Sequence, residues 1–221
     1  MSSRLTLDTM LGNEAAISVL RRTESGLVLI HGDIGTGKTS AALALVRERT
    51  GVWLDEFGSD RQTYKLPDGG QGLAMRYLAT DMERGLLWPS GLYTPSMFYR
   101  QFIHILDEAQ DIPRKVLSRM RIANTPPKGW LYIFCTSEPM KLDRAIRDRC
   151  TSVALGRLGM ADITRLAERT CAELGVTFDG NIGTALARYE IQRPRAIIAV
   201  IDYLQKGMKL DDAIRTVMPL G

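Results

Sequence analysis

The sequence has little of what several classes of protein depend on. Its three cysteines, Cys135, Cys150 and Cys171, are scattered along 221 residues, which excludes a disulfide framework and a zinc site of closely spaced cysteines. We therefore expect reduced thiols in a cytoplasmic protein. No apolar run approaches the roughly 20 residues that span a bilayer, so no membrane partner is expected. Residues 1–8 are polar and lack the apolar core of a signal peptide.

Charge of either sign is not in strong excess. The chain has 29 lysines and arginines against 25 acidic residues, a net charge of +4, which permits nucleic-acid binding without requiring it. Apolar residues make up 45% of the sequence and charged residues 24%. These proportions exclude a disordered chain and indicate a folded core.

Short apolar runs alternate with helix-like segments in the first two thirds of the chain. The runs predicted to be buried strands are 27–30, 52–54, 102–106, 131–135 and 151–155. The predicted helices are about 14–22, 39–49, 73–84, 113–123 and 143–148. Buried strands separated by helices predict a parallel sheet covered on both faces, so the predicted fold class is α/β.

The pattern changes to helices only beyond residue 156. The predicted helices there are about 160–174, 180–190, 194–206 and 210–217. We therefore predict an α/β domain at residues 1–156 and a small all-helical domain at residues 157–221.

The segment Gly32–Thr39, Gly-Asp-Ile-Gly-Thr-Gly-Lys-Thr, matches the full P-loop pattern for nucleotide phosphates. Its glycines let backbone N–H groups surround phosphates, and the helix that follows points its positive end at the same anion. Lys38 is expected to reach the β and γ phosphates of ATP, and the Thr39 hydroxyl to ligate Mg²⁺. The predicted binding residues are Gly32, Asp33, Ile34, Gly35, Thr36, Gly37, Lys38, Thr39 and Ser40.

Two acidic residues, Asp107 and Glu108, follow the predicted strand 102–106. An acid at the carboxyl end of a buried strand beside a P-loop can hold Mg²⁺, so Asp107 is predicted as a metal ligand. An adjacent glutamate can polarise the water that attacks the γ phosphate, which is the role predicted for Glu108. A water-activating glutamate argues against a small-molecule kinase, because a kinase must exclude water. The predicted chemistry is therefore ATP hydrolysis.

Together these motifs resemble those of the AAA+ ATPases, and within them the clamp-loader clade, along nearly the whole chain. Residues 7–14, which include Leu11, are similar to the clade's adenine-contacting segment, and residues 56–61 resemble a short acidic motif of clamp-loader subunits. Residues 135–142 and 145–150 are similar to the bacterial segment joining sensor 1 to the Ser-Arg-Cys motif, with Asp148 replacing the serine. The resemblance implies a P-loop AAA+ domain followed by a helical lid, with Leu11 contacting the nucleotide.

The resemblance also implies roles for three residues outside the P-loop. Thr136 falls at the sensor 1 position, where a hydroxyl can hydrogen-bond the attacking water or the γ phosphate. Arg149 falls at the arginine-finger position and would act in trans, which implies a ring or spiral of identical or related subunits. Arg195 falls at the sensor 2 position of the lid and would touch the γ phosphate of its own subunit. The alternatives are Arg144 or Arg147 for the finger, and Arg193 for sensor 2.

DNA is the partner that the resemblance implies, gripped through its backbone. Candidate phosphate contacts lie on the predicted helix 113–123; they are Arg114, Lys115, Arg119 and Arg121. The aromatic residues of loop 88–100 could stack on bases or form a subunit interface, but packing is the favoured interpretation.

The expected function is an oligomeric ATPase that uses ATP and Mg²⁺ to remodel or load a protein–DNA assembly in replication, recombination or repair. A sliding clamp or another protein is a further candidate partner. Two alternatives stay open: an ATP-gated scaffold on DNA that hydrolyses slowly, and a remodeller of proteins with no role on DNA. The sequence has no stretch for the collar of clamp-loader subunits, so we expect a minimal unit of ATPase domain and lid.

Overall fold

A computed structural model describes residues 5–83, 99–113, 126 and 129–218. Six strands in these ranges form one sheet: β1 (Gly26–His31), β2 (Asp60–Lys65), β3 (Gln71–Leu78), β4 (Gln101–Asp107), β5 (Trp130–Thr136) and β6 (Thr151–Ala154). The strand order is β2-β3-β4-β5-β1-β6. Neighbouring strands run parallel except β2 and β3, which form an antiparallel hairpin. The sheet is mixed and mostly parallel, which confirms the predicted α/β class.

The central strands β4 and β5 are apolar along most of their length because both faces of the sheet are covered there. Alternate side chains of β4 point to opposite faces. Ile103 and Ile105 join a cluster with the alanines and leucines of the helix Lys38–Thr50. Phe102 and Leu106 join an aromatic-rich cluster on the other face. This double burial fixes the carboxyl ends of β4 and β5, where the candidate site lies.

The described residues up to 155 also form four α-helices. They are α1 (Glu14–Arg22), α2 (Lys38–Thr50), α3 (Ala79–Glu83) and α4 (Arg144–Arg147). The second of these begins directly after the glycine-rich loop that follows β1. Asp143 caps α4 by accepting a hydrogen bond from the backbone N–H of Ala145 at 2.9 Å.

The residues after 156 form four further helices, α5 (Met160–Leu174), α6 (Ile182–Arg188), α7 (Pro194–Gln205) and α8 (Leu210–Val217). They bury one apolar cluster of their own, which includes Leu186, Ile197 and Val200. Local signals set their ends: Gly175 terminates α5 in the left-handed conformation, and Pro194 opens α7. The helices predicted in this part of the sequence are confirmed to within a few residues.

The described residues fall into two compact units. One unit takes in those within 1–10, 15–32 and 38–155, and the other those within 11–14, 33–37 and 156–221. The second unit therefore includes part of the glycine-rich loop as well as the helices α5 to α8. The domain limits of 1–156 and 157–221 stay a prediction.

Two sequence predictions in the first unit are wrong. Residues 52–54, predicted as a strand, have no regular structure. Of the predicted helix 73–84, the described residues 73–83 form the greater part of β3 and then the short α3. Ala74 and Met75 favour a helix locally, but β3 is hydrogen-bonded to β2 on one side and to β4 on the other. Pairing on both sides outweighs local propensity.

One predicted helix lies almost wholly outside the described residues, and one observed strand was not predicted. The predicted helix 113–123 lies outside the described residues apart from Pro113. The strand β2 was not predicted, because its sequence Asp-Arg-Gln-Thr-Tyr-Lys is polar, as suits an edge strand. None of the helices in the described ranges combines the length and apolar character that crossing a bilayer requires.

Candidate functional site

The predicted P-loop lies between β1 and α2, the strand and helix that this motif is expected to join. Gly35 and Gly37 have φ angles of 82° and 98°, a region that glycine adopts without the strain other residues incur. Thr36 is buried, and its hydroxyl donates to the backbone oxygen of Asp33 at 2.9 Å. Ile34 is exposed. The loop is thus closed by its own hydrogen bond and leads straight into the first turn of α2.

The first residues of α2 connect the loop to the end of β4. Lys38 is nearly buried, and its Nζ donates to the backbone oxygen of Gly32 at 2.9 Å. The Thr39 hydroxyl lies 3.0 Å from Oδ1 and 3.1 Å from Oδ2 of Asp107 and donates to this carboxylate. Strand β5 lies between β1 and β4 in the sheet. The contact therefore links the start of α2, which follows β1, to a strand that is not the neighbour of β1. Ser40 follows, half-buried.

The Asp107 carboxylate is buried at the end of β4 and is neutralised by Arg76 of β3. Nη2 of Arg76 lies 2.6 Å from Oδ2 of Asp107, and both side chains are less than a tenth exposed. The backbone N–H of Glu108 donates to the other oxygen, Oδ1, at 3.2 Å. Sequence reasoning missed Arg76, although a single arginine within the apolar run Leu-Ala-Met-Arg-Tyr-Leu was a usable signal.

Glu108 and Thr136 are linked by a third side chain, Gln110. Glu108 is exposed, with a left-handed backbone at φ 49° and ψ 50°. Nε2 of Gln110 donates to Oε2 of Glu108 at 2.7 Å, and the hydroxyl of the buried Thr136 donates to Oε1 of Gln110 at 2.5 Å. The predicted water-activating residue and the predicted sensor 1 residue are therefore both hydrogen-bonded to the same side-chain amide. Sequence reasoning did not single out Gln110.

The three candidate finger arginines differ in what they contact. Nε of Arg144 is paired with Asp148 at 3.3 Å, and Nη1 of Arg147 donates to the backbone oxygen of Pro139 at 3.3 Å. Arg149 is exposed, and within the described part of the chain its guanidinium has no hydrogen bond or ion pair. This leaves Arg149 free to reach outward. Its role in trans stays a prediction.

In the second unit, the start of α7 packs on the glycine-rich loop. The backbone N–H of Arg195 donates to the backbone oxygen of Gly35 at 3.3 Å. A Cβ on Gly35 would lie 3.2 Å from Cβ of Arg195, so glycine permits this close approach. The side chain of Arg195 is exposed and that of Arg193, one residue before the helix, is half-buried. The sensor 2 alternatives therefore both lie beside the loop.

Two further residues make contacts within this unit. Arg157 donates through Nε and Nη2 to Oδ2 of Asp33, at 3.1 and 2.9 Å. No pattern in the sequence distinguishes Arg157 from other arginines. Leu11 is half-buried and packs against the apolar cluster of the four helices. Its predicted contact with a nucleotide base stays a prediction.

Solved structures with similar backbones identify the fold. The AAA domain of FIGL-1 superposes with a TM-score of 0.70 at 14% identity and covers 99% of this chain and 85% of that one. The Holliday junction branch migration motor RuvB of Thermotoga maritima superposes with a TM-score of 0.64 at 16% identity, over 96% of this chain and 70% of that one. The chain has the AAA+ fold.

Curated proteins with similar sequences add to this. The replication factor C large subunit of Methanothrix thermoacetophila is 24% identical over 220 residues, 92% of this chain and 42% of that protein. The DNA polymerase III subunit gamma/tau of Mycobacterium tuberculosis is 28% identical over 191 residues, 81% of this chain and 32% of that protein. These relatives confirm the resemblance to clamp-loader subunits. The chain spans less than half of the length of these relatives. No family model matches the sequence.

The predicted DNA contacts are not placed. Arg114, Lys115, Arg119 and Arg121 lie outside the described residues, as does most of the aromatic loop 88–100. At the end of that loop, Tyr99 packs edge-to-face against Phe102, with ring centroids 5.9 Å apart. This contact agrees with packing as the role of Tyr99.

Two buried titratable groups of the sheet are held in their neutral forms by burial. Burial, and after it the charge of Asp107, raise the pKa of the Cys135 thiol, so it stays protonated. Burial lowers the pKa of His104 to about 3. The ring of His104 is stacked on Tyr132 with centroids 4.7 Å apart, and within the described residues neither ring nitrogen has a hydrogen-bond partner. Both groups are neutral at pH 7.

Proposed function

We propose that this protein binds ATP with Mg²⁺ and hydrolyses it as a subunit of an oligomeric AAA+ assembly that acts on DNA in replication, recombination or repair. The observation that supports it best is the contact between the Thr39 hydroxyl and the Asp107 carboxylate at 3.0 and 3.1 Å. This contact joins the P-loop helix to the end of β4. A hydroxyl and a carboxylate are the hard oxygen ligands that Mg²⁺ prefers.

The residues present fit this metal. Thr39 and Asp107 would hold it, and when bound it would neutralise charge on the β and γ phosphate oxygens. The glycine-rich loop and Lys38 would bind the phosphates, since Lys38 already stands against the loop carbonyl of Gly32. Arg195, whose backbone is bonded to Gly35, would place a positive charge beside the same loop.

Hydrolysis needs a base for the attacking water. Glu108 is exposed at the carboxyl end of β4 and can accept the proton of a water molecule. Thr136, at the equivalent end of the neighbouring β5, can orient that water or the γ phosphate through its hydroxyl. Arg149 would act on the nucleotide of a neighbouring subunit, because its guanidinium is exposed and has no described partner.

The biological setting is inferred from the relatives. One is named a replication factor subunit, one a DNA polymerase subunit and one a branch migration motor for Holliday junctions. We therefore propose DNA as a partner, a ring or spiral of subunits, and a cytoplasmic location. A sliding clamp or another protein is a further proposed partner.

A second function, an ATP-gated scaffold on DNA with slow hydrolysis, is favoured by one observation. Gln110 hydrogen-bonds both Glu108 and Thr136. The Thr136 hydroxyl must therefore exchange Gln110 for water or phosphate before it acts, and the hydrogen bond from Gln110 makes the Glu108 carboxylate a weaker base. Both effects slow basal turnover.

The steady-state ATPase rate against protein concentration tests these proposals. It should be measured alone and with duplex, single-stranded and primer–template DNA. We expect a rate per subunit that rises with protein concentration and with DNA, and no rate for Lys38→Ala prepared identically. An ATPase rate that is unchanged by every DNA but rises with a protein partner would favour a protein-directed remodeller. A low rate with filaments or rings on DNA by electron microscopy would favour the scaffold.

A further inference from the structure

Arg76 is a buried charge in the middle of an otherwise apolar strand. Its side chain is only 4% exposed. A buried charge is costly unless it is both paired and hydrogen-bonded. An arginine at this position therefore needs charged and hydrogen-bonding partners for its guanidinium. An apolar side chain would need none and would pack like most of the other residues of β3.

The two terminal nitrogens of Arg76 hold two different parts of the first unit. Nη2 contacts Asp107 at 2.6 Å. Nη1 donates to the backbone oxygens of Asp55 and Gly58, each at 2.9 Å. Because the guanidinium is planar and rigid, movement at one end changes the hydrogen bonds at the other. The remaining nitrogen, Nε, has no partner among the described residues.

The segment held by Nη1, residues 55–58, lies at the surface just before β2. Its backbone is shaped by local hydrogen bonds: the N–H of Phe57 donates to Oδ1 of Asp55 at 2.9 Å, and the N–H of Asp55 to Oδ2 of Asp60 at 3.0 Å. The side chain of Phe57 is 89% exposed. The carbonyls of Asp55 and Gly58 thus turn inward to Arg76 while the aromatic side chain between them faces solvent.

We propose that Arg76 is a positioning residue that couples the Mg²⁺ position at Asp107 to segment 55–58. The inference rests on the proposed function, in which Asp107 holds Mg²⁺. A divalent cation and the guanidinium are like charges that share one buried carboxylate, so each weakens the hold of the other. Binding of Mg²⁺ therefore loosens the Asp107 end of Arg76, and the two carbonyl bonds to the segment adjust with it.

The first test measures ADP binding by titration calorimetry at increasing Mg²⁺ concentrations. The quantity compared between variants is the Mg²⁺ concentration at which the enhancement of ADP binding is half-maximal. Arg76→Met keeps the volume but removes the charge, and should lower this concentration about tenfold. In the Asp107→Asn background the same substitution should change it by less than about twofold, because the shared carboxylate is absent. An unchanged Mg²⁺ requirement in Arg76→Met, or an undiminished shift in the Asp107→Asn background, overturns the proposal.

The second test follows segment 55–58 by hydrogen exchange, and covers the case in which Arg76→Met fails to fold. Arg76→Lys keeps a charge for Asp107 but lacks the planar fork that spans both partners. We expect Mg²⁺ with ADP to change exchange over residues 54–60 in the unsubstituted protein and in the control Arg61→Met, an exposed position on β2, but not in Arg76→Lys. A response of equal size in Arg76→Lys overturns the coupling.

The two failures are distinguishable. If the unsubstituted protein does not bind ADP in a Mg²⁺-dependent way, the proposed function fails. If it binds as expected and Arg76 variants respond like the unsubstituted protein, only the role of Arg76 fails.

Discussion

The side-chain amide of Gln110 donates a hydrogen bond to the Glu108 carboxylate at 2.7 Å. Because the other end of the amide accepts from Thr136, one residue occupies groups of both the proposed base and the proposed sensor. Gln110 lies two residues after Glu108 in the short turn Ala109–Asp111. In the proposed site, the Gln110 side chain therefore competes with the attacking water for hydrogen bonds to Glu108 and Thr136.

Gln110→Ala should raise the basal, DNA-independent ATPase rate. Loss of the amide frees Glu108 and Thr136, and a hydrogen bond worth about 1 kcal/mol corresponds to a change of about three- to tenfold. The rate should be compared with that of Gln62→Ala, an exposed glutamine on β2. A lower rate in Gln110→Ala would instead mean that the amide holds Glu108 in its working position.

Glu108→Gln should leave ATP binding intact and lower turnover by about 100- to 10,000-fold, the usual contribution of a general base. The amide is isosteric with the carboxylate but cannot accept the proton of water. Binding is measured by calorimetry, turnover by phosphate release, and assembly by gel filtration with ATP. Turnover at the unsubstituted rate would exclude Glu108 as the base.

Arg149→Ala should lower hydrolysis about 1,000-fold or more if it removes an arginine finger. Mixing this variant with Glu108→Gln should restore part of the activity. Where a Glu108→Gln subunit presents its finger to an Arg149→Ala subunit, an intact finger meets an intact base, whereas the opposite arrangement has neither group. Arg144→Ala serves as the control, since Arg144 is already paired with Asp148, and it should stay active alone. Absence of recovery at every mixing ratio would argue against action in trans.

Lys38→Ala should weaken ATP binding about 100-fold, which corresponds to loss of a charge-assisted contact worth up to about 3 kcal/mol. The exposed Lys65 provides a matched control as Lys65→Ala. Affinity is measured by calorimetry with Mg²⁺ present. Retained tight binding in Lys38→Ala would exclude the P-loop as the phosphate site.

His104 should make the fold sensitive to acid. Its pKa is about 3 in the folded chain, against an ordinary value of 6.5, so between these values the unfolded chain binds a proton that the folded chain does not. Stability is therefore full above pH 6.5 and is lost as pH falls. From pH 7 to pH 5 the loss from this residue is about 2 kcal/mol.

Urea unfolding of His104→Leu at both pH values checks this prediction. The apolar replacement leaves no ring nitrogen buried without a partner, and the variant should lose about 2 kcal/mol less than the unsubstituted protein on acidification. His31→Leu, the only other histidine, controls for a general effect. Equal losses in all three proteins would show that His104 does not govern the acid response.

The features that the sequence could predict are those that depend on short, contiguous segments. The strands β4 and β5 were predictable because their apolar runs are long enough to be buried on both faces. The P-loop and the Asp107-Glu108 pair were predictable because each is a contiguous motif. These two parts give the carboxyl edge of the sheet and most of the residues proposed to bind the nucleotide.

What the sequence could not predict depends on pairing across the sheet. The segment containing Ala74, Met75 and Arg76 has helical propensity, and only its position between β2 and β4 makes it a strand. The contact of Arg76 with Asp107 follows from that placement and joins residues 31 positions apart. The role of Gln110 was equally hidden, because a glutamine two residues after a glutamate has no distinctive pattern.

The hairpin of β2 and β3 offers a place to attach a probe. Its turn is closed by the N–H of Leu66 donating to the backbone oxygen of Gly70 at 2.8 Å, and Pro67 between them is exposed. Strand β3 runs from this turn to Leu78, which is in register with Asp107, a span of about 25 Å at 3.3 Å per residue. A cysteine introduced by Pro67→Cys could therefore be labelled with a fluorophore remote from the nucleotide chemistry, and energy transfer between labelled copies would report subunit association in real time.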